Sequence, residues 1–162
     1  MTATNITTHR KLIRISGTIL INKDVEGVFN FYANPSNDHL WRTEINKSTL
    51  DGELQLGVTA AEYSYLSKKA PNNLLEMKCT QFNKNKIAIF ETLQSEKFYL
   101  KSERITNSLP DLTTEITYKL EFDKNIVKFA TGISLPIFLI SWKAKDDLRK
   151  YLQQLKKYIE KD

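Results

Sequence analysis

Hydrophobic and polar residues alternate along much of this chain, and where the alternation stops a helical period replaces it. From Leu12 to Ile21 the residues Ile13, Ile15, Gly17, Ile19 and Ile21 share one side, with Arg14, Ser16 and Thr18 on the other. That is the pattern of a half-buried strand. Asn22-Lys23-Asp24 breaks it, and Asp24 is placed to cap a short helix. Val28, Phe29, Phe31 and Tyr32 form that helix's apolar stripe, which Gly27 weakens by about 1 kcal/mol relative to Ala. Asn34-Pro35 restarts the chain for a second short helix, with Pro35 suited to its first turn and Trp41 closing it.

Six more strand-like runs follow. Thr43 to Leu50 precedes an Asp51-Gly52 turn, and Val58 to Leu66 sets Thr59, Ala61, Tyr63 and Tyr65 against Val58, Ala60, Glu62 and Ser64. The tyrosine-bearing side reads as the inward one. Leu74 to Phe82 puts Leu75, Met77 and Cys79 on one face and pairs with Lys86 to Thr92 across the polar turn Asn83-Lys84-Asn85. Lys97 to Ile105 and Thr113 to Phe122 flank a loop at Asn107-Ser108-Leu109-Pro110-Asp111. In the last run Thr114, Ile116, Tyr118, Leu120 and Phe122 share a side. Connections this short favour an antiparallel meander, since parallel crossovers need a dozen or more residues.

A long helix from about Ile126 to Glu160 ends the chain. Its second half carries the stripe Leu148, Tyr151, Leu152, Leu155, Tyr158 and Ile159, with Asp146 and Lys150 as an i,i+4 pair. Its first half is apolar nearly all round, and Gly132 and Pro136 should bend or interrupt it. A sheet built in this order has a hollow side, and this helix is the one large element able to cover it. The arrangement predicts an apolar pocket between the two.

Composition narrows the class. The 162 residues suit one domain, 1–162, with residues 1–10 expected to be flexible; 41% hydrophobic and 27% charged content fits a globular protein. Cys79 is the only cysteine, which excludes an internal disulfide and a CxxC zinc site and points to a reducing cytoplasm. Met1 to Arg10 is polar and does not read as a signal peptide, so the glycosylation-like triplets Asn5-Ile6-Thr7 and Asn46-Lys47-Ser48 carry no weight. The most apolar window, Phe129 to Trp142, is shorter than the roughly 20 residues of a membrane span, so no stable insertion is expected. The net charge of +5 comes from scattered lysines with five arginines, unlike a nucleic-acid surface with its concentrated basic face. With His9 and His39 the only histidines, neither a metal nor another cofactor is expected.

Several fragments, in order, resemble the START-like, Bet v 1-like and polyketide cyclase/dehydrase-like (SRPBCC) superfamily. They are Ile19 through Phe29, Asn34-Pro35 through Trp41, Gly57-Val58-Thr59, Cys79 through Asn83, Thr114 through Tyr118 and the closing Leu155-Lys156 helix. The resemblance covers nearly the whole chain from Leu12. It implies an α+β helix-grip fold: a curved seven-stranded antiparallel sheet wrapped around a long C-terminal helix, with two short helices between strands 1 and 2. It also implies an internal cavity for a lipid-, sterol- or polyketide-like molecule. The glycine-rich loop of the plant allergen branch is absent, as are the cysteine and histidine ligands of the iron–sulfur relatives and any cyclase signature.

The candidate cavity residues are Trp41, Tyr63, Phe90, Arg104, Ile116, Tyr118, Phe129, Ile133, Ile137 and Phe138. Trp41 either anchors a corner of the core or lines the cavity mouth with its indole N–H available. Tyr63 and Tyr118 need hydrogen-bond partners if buried, from a ligand or from the protein. Arg104, if inward, is a costly buried charge and a natural partner for a carboxylate; strand ends are also often exposed. His39 reads as a surface residue, and Asp38 beside it makes no triad. Binding of a hydrophobic small molecule, by a monomer or homodimer, is the leading expectation. An enzyme of the cyclase/dehydrase kind is the alternative and requires at least two polar side chains converging inside the cavity. A regulatory module with a filled interior and an exposed apolar patch is a third.

Overall fold

The computed structural model describes residues Arg10 to Lys161; the expectations for residues 1–9, His9 included, lie outside them. Seven strands form one antiparallel sheet: β1 (Leu12–Ile21), β2 (Ile45–Leu50), β3 (Thr59–Ser64), β4 (Asn73–Asn83), β5 (Ile87–Thr92), β6 (Leu100–Leu109) and β7 (Thr113–Asp123). Their order across the sheet is β1-β7-β6-β5-β4-β3-β2. The strands β2 to β7 are therefore the predicted meander, and β1 adds beside β7 through ten paired positions from Leu12↔Asp123 to Ile21↔Thr114.

Helix α1 (Val25–Tyr32) and a 3₁₀ helix (Pro35–Leu40) fill the crossing from β1 to β2. Both starts follow from local chemistry. Asp24 Oδ1 accepts from the Gly27 N–H at 2.9 Å, and Asn34 Oδ1 accepts from the Ser36 N–H at 3.0 Å with Pro35 in the first turn. Such caps are worth about 1 kcal/mol each. Register shifts between Cys79 and Gln81 on β4, and between Ile45 and Lys47 on β2, bend those strands.

Several strand ends shift from the expected positions, β2 starting at Ile45, β3 ending at Ser64 and β6 starting at Leu100, and two further features bear on the architecture. β6 runs on to Leu109 because Asn107 and Ser108 keep pairing with Glu115 and Thr114, so the turn shrinks to Pro110–Leu112. Asp111 and Leu112 take left-handed φ values of 60° and 52° to close it. The last helix, expected from about Ile126 to Glu160 with a bend or interruption at Gly132 and Pro136, is interrupted there into two: α2 (Asn125–Thr131) and α3 (Ile137–Ile159). Gly132 ends α2 at φ 80°, donating its N–H to the Lys128 carbonyl at 2.8 Å, and Pro136 precedes the first turn of α3. Glycine takes that conformation without a Cβ penalty.

The inner face of the sheet carries Ile13 and Ile15, Leu75, Met77 and Cys79, and Ile116 and Tyr118, all buried. Leu148, Leu152 and Leu155 of α3 are buried too, and each such leucine contributes about 1.5–3 kcal/mol. The helix packs tightly on β1 at Gly17, where an added Cβ would meet Leu152 Cδ1 at 2.8 Å. Glycine there permits the approach.

On β3 the inward side is Ala60, Glu62 and Ser64, all buried, while Thr59, Ala61 and Tyr63 are half-buried on the other face. This reverses the sequence reading of Tyr63. Counting apolar residues favours the tyrosine side; a buried cation waiting for Glu62 decides otherwise.

Candidate functional site

The sheet and the two C-terminal helices do not close on each other. A cavity of about 470 Å³ lies between them, within the size range of small-molecule sites. Its sheet wall is Ile15, Leu75, Leu100, Leu120 and Phe122; Ile126, Val127 and Ala130 come from α2. Leu135, Leu139, Ile140, Ala144 and Leu148 continue the apolar lining, with Ile45 and Leu66. A second hollow of about 460 Å³, among Arg14, Ser16, Lys101, Glu103, Lys119 and Glu121, is a charged groove on the outer side of β1, β7 and β6.

Besides Thr131, Tyr151 and the Lys143–Asp147 pair, one part of the lining is polar: Arg42, Glu44, Glu62, Ser64 and Tyr118. It belongs to a buried charge network. The 3₁₀ helix turns Asp38 inward, where its carboxylate accepts from Arg104 Nη1 at 2.7 Å and Nη2 at 2.6 Å. Arg104 Nη1 also donates to the Tyr32 carbonyl at 3.0 Å, and the guanidinium carbon stands 5.7 Å from the ring centres of Phe90 and Tyr118. Arg42, one turn after Asp38, donates from Nη1 to Asp38 Oδ2 at 3.0 Å and to Glu62 Oε1 at 3.1 Å. Its Nε donates to Glu44 Oε1 at 2.9 Å.

Burial and charge push the two acids apart. Burial raises the Asp38 carboxyl, but the adjacent Arg104 charge and its paired hydrogen bonds, with Arg42, outweigh this and hold Asp38 below its ordinary value. Glu62 has Arg42 but also faces the Asp38 charge, and burial dominates, lifting it to about 8. Near neutral pH Glu62 therefore carries a proton, and Arg104 and Arg42 both face the Asp38 carboxylate. Burial also raises the Tyr118 hydroxyl, which stays protonated. That hydroxyl has no hydrogen-bond partner among the described residues; neither do Trp41 Nε1, Arg104 Nε or Glu44 Oε2. Buried polar atoms without partners are uncommon, and Tyr118 and Glu44 are in the cavity lining.

Of the sequence candidates, Tyr118 lines the cavity. Trp41, Phe90, Arg104 and Ile116 are fully buried in the core behind the lining, with Trp41 edge-on to Tyr118 at 5.8 Å. The carboxylate that Arg104 needs is supplied by Asp38. Tyr63 faces away from the cavity, and Phe129, Ile133, Ile137 and Phe138 are exposed. The break at Gly132 to Pro136 changes the helical phase, so Ile126, Ala130 and Ile140 turn inward and those four turn out. His39 is exposed, with Nδ1 3.3 Å from Ser48 Oγ. Sequence reasoning missed Asp38, Arg42 and Glu62. The available signal was the i,i+4 spacing of Asp38 and Arg42, beside a glutamate on an alternating strand.

No group of three or more His, Cys, Asp or Glu residues placed to hold a metal occurs among the described residues. No helix there is long and apolar enough to cross a membrane. No protein-family model and no curated protein sequence matches the chain. The likeness to solved structures is nonetheless extensive. A START superfamily protein from Mycobacterium smegmatis superposes with a TM-score of 0.71 at 11% identity, over 91% of this chain and 97% of that one. Ara h 8.0201 gives 0.60 at 9% identity, over 94% of this chain and 100% of that one. The di-domain ARO/CYC BexL from the BE-7585A biosynthetic pathway gives 0.63 at 11% identity, over 93% of this chain and 51% of that one. The polypeptide therefore has the START-like, Bet v 1-like helix-grip fold that its sequence fragments resemble.

Proposed function

We propose that the chain, as one ligand-binding domain, holds an apolar small molecule with one polar end in the cavity between sheet and α3. The observation that carries this reading is the partnerless Tyr118 hydroxyl set in an otherwise largely apolar lining, beside the Arg42–Glu62 pair. The apolar body of a lipid-, sterol- or polyketide-like ligand would lie against Leu75, Leu100, Phe122 and Ile140. Each 100 Å² of its surface removed from water is worth about 2.5 kcal/mol, before association costs. Its polar end would accept from Tyr118 or from protonated Glu62. The single cysteine fits a cytoplasmic carrier.

Native mass spectrometry of protein purified from its host would find a bound apolar molecule. An Ala144→Trp variant, which fills the lining, would emerge without it. Ligand-free wild type that also fails to take up apolar probes would overturn the reading.

A second reading, a cyclase/dehydrase-like enzyme acting in the same cavity, has its own support: Tyr118, Glu62 and Arg42 converge, and Glu62 near 8 is matched to proton transfer at neutral pH. Conversion of the bound molecule that stops in Glu62→Gln while binding persists would favour it over the carrier.

A further inference from the structure

The corner where α2 meets α3 leaves large apolar side chains in solvent. Phe129, Ile133, Ile137, Phe138, Leu139 and Trp142 are between 42% and 70% exposed, and all come from a single stretch of the chain. Phe138 and Trp142, the two most exposed at 70% each, sit one helical turn apart on α3 and so share a face. Contiguous patches of this kind mark a surface that is covered in use.

The charge around the patch is mostly of one sign; the exceptions are Asp146, one turn past Trp142 and paired with Arg149 and Lys150, and Asp147, paired with Lys143. From Lys124 to Lys145 the chain contains no Asp or Glu, and four lysines. Lys11, Lys124 and Lys128 meet in one hollow with Ser134 and Leu135. Lys97 Nζ stands 4.9 Å over the Phe129 ring, and Lys69 Nζ lies 2.8 Å from where a Cβ on Gly132 would sit. None of these five lysines has an acidic partner among the described residues.

We propose that this corner docks on an anionic lipid bilayer, its aromatic and aliphatic side chains entering the interface and the lysine rim engaging lipid headgroups. The chemistry fits on three counts. Trp and Phe favour the interfacial zone, and lysine stems lie along apolar surface with their ammonium groups in water. Anionic headgroups attract each nearby lysine. A second copy of the chain would instead set rim against rim, lysine against lysine. With no helix able to span the bilayer, the contact is interfacial. Leu139 is both half in solvent and part of the cavity lining, as Leu135 is of the lining and the lysine-flanked hollow. The docked face therefore adjoins the cavity. Whether the cavity holds a ligand does not enter the argument.

The test is co-sedimentation with vesicles of equal parts phosphatidylglycerol and phosphatidylcholine, against phosphatidylcholine alone, at low and high salt. Binding to the anionic vesicles, weakened by salt, is expected. Trp142 emission should shift to the blue on binding, while buried Trp41 stays constant and Trp142→Phe loses the shift. Phe138→Ser with Trp142→Ser should lower partitioning roughly tenfold or more. Lys124→Gln with Lys128→Gln should lower it about fivefold per lysine at low salt. Phe138, Trp142 and Lys128 are exposed and Lys124 half-buried, all four outside the cavity lining, and unchanged circular dichroism confirms the fold. Equal affinity for both vesicle types, no binding, wild-type binding by the serine variant, or a self-associated dimer that the serine variant dissolves, would each overturn the proposal.

Discussion

Arg104 and Asp38, 66 residues apart in the chain, meet through two parallel hydrogen bonds of 2.7 and 2.6 Å with neither side chain exposed. Such a pair recovers its desolvation through geometry, so removing one partner strands the other. Asp38→Asn and Arg104→Met should each destabilise by about 3–5 kcal/mol. The double variant should cost less than the two added together. Urea unfolding of the four proteins measures this, and strict additivity would show the pair to be energetically idle.

Glu62 gives stability an unusual pH dependence. Its folded value of about 8 lies above the 4.5 of a free carboxyl, so the folded state holds the proton more tightly than the unfolded chain. The contribution is complete below pH 4.5 and is lost as pH rises through about 8. Unfolding free energy should fall across this window, and Glu62→Gln should flatten the decline. A wild-type curve that rises over the same range would contradict the assignment.

Gly17 sets how closely α3 approaches β1. A valine there drives its Cβ toward Leu152 and Leu148, at 2.8 and 3.3 Å before any relaxation. The expected loss is about 1–3 kcal/mol, read from thermal or urea melts. No loss would mean the helix shifts freely over the sheet.

Tyr118→Phe separates stability from binding. The hydroxyl has no hydrogen-bond partner among the described residues, so its removal should leave the melting temperature unchanged or slightly raised. Affinity for a long-chain alcohol should drop up to about tenfold, while affinity for the corresponding alkane is unaffected. Equal losses for both probes would remove the tyrosine from the recognition role.

Strand alternation carried most of the fold. β1, β4 and β7 are where the inward sets Ile13/Ile15, Leu75/Met77/Cys79 and Ile116/Tyr118 pointed. Asp24 caps its helix as its position suggested. The cavity side chains were harder to read because burial followed partners instead of polarity. Glu62 looks like a surface residue until Arg42 is placed beside it, and Asp38 until Arg104 arrives from β6. Conversely, Phe129, Ile133, Ile137 and Phe138 look like core until Gly132 breaks the helix that would have buried them. Both reversals depend on contacts or phase changes between elements, which a local pattern does not contain.

Arg104 on β6 and Glu62 on β3 stand 3.9 Å apart at their tips, although β5 and β4 run between their strands. Three strand spacings in a flat sheet come to about 14 Å. Two long side chains, with Asp38 and Arg42 between them, thus act as a chord drawn across the arc of the vault. Removing the Glu62 proton would set a second carboxylate beside Asp38 in that chord, so the charge the two arginines must span across the sheet depends on one proton.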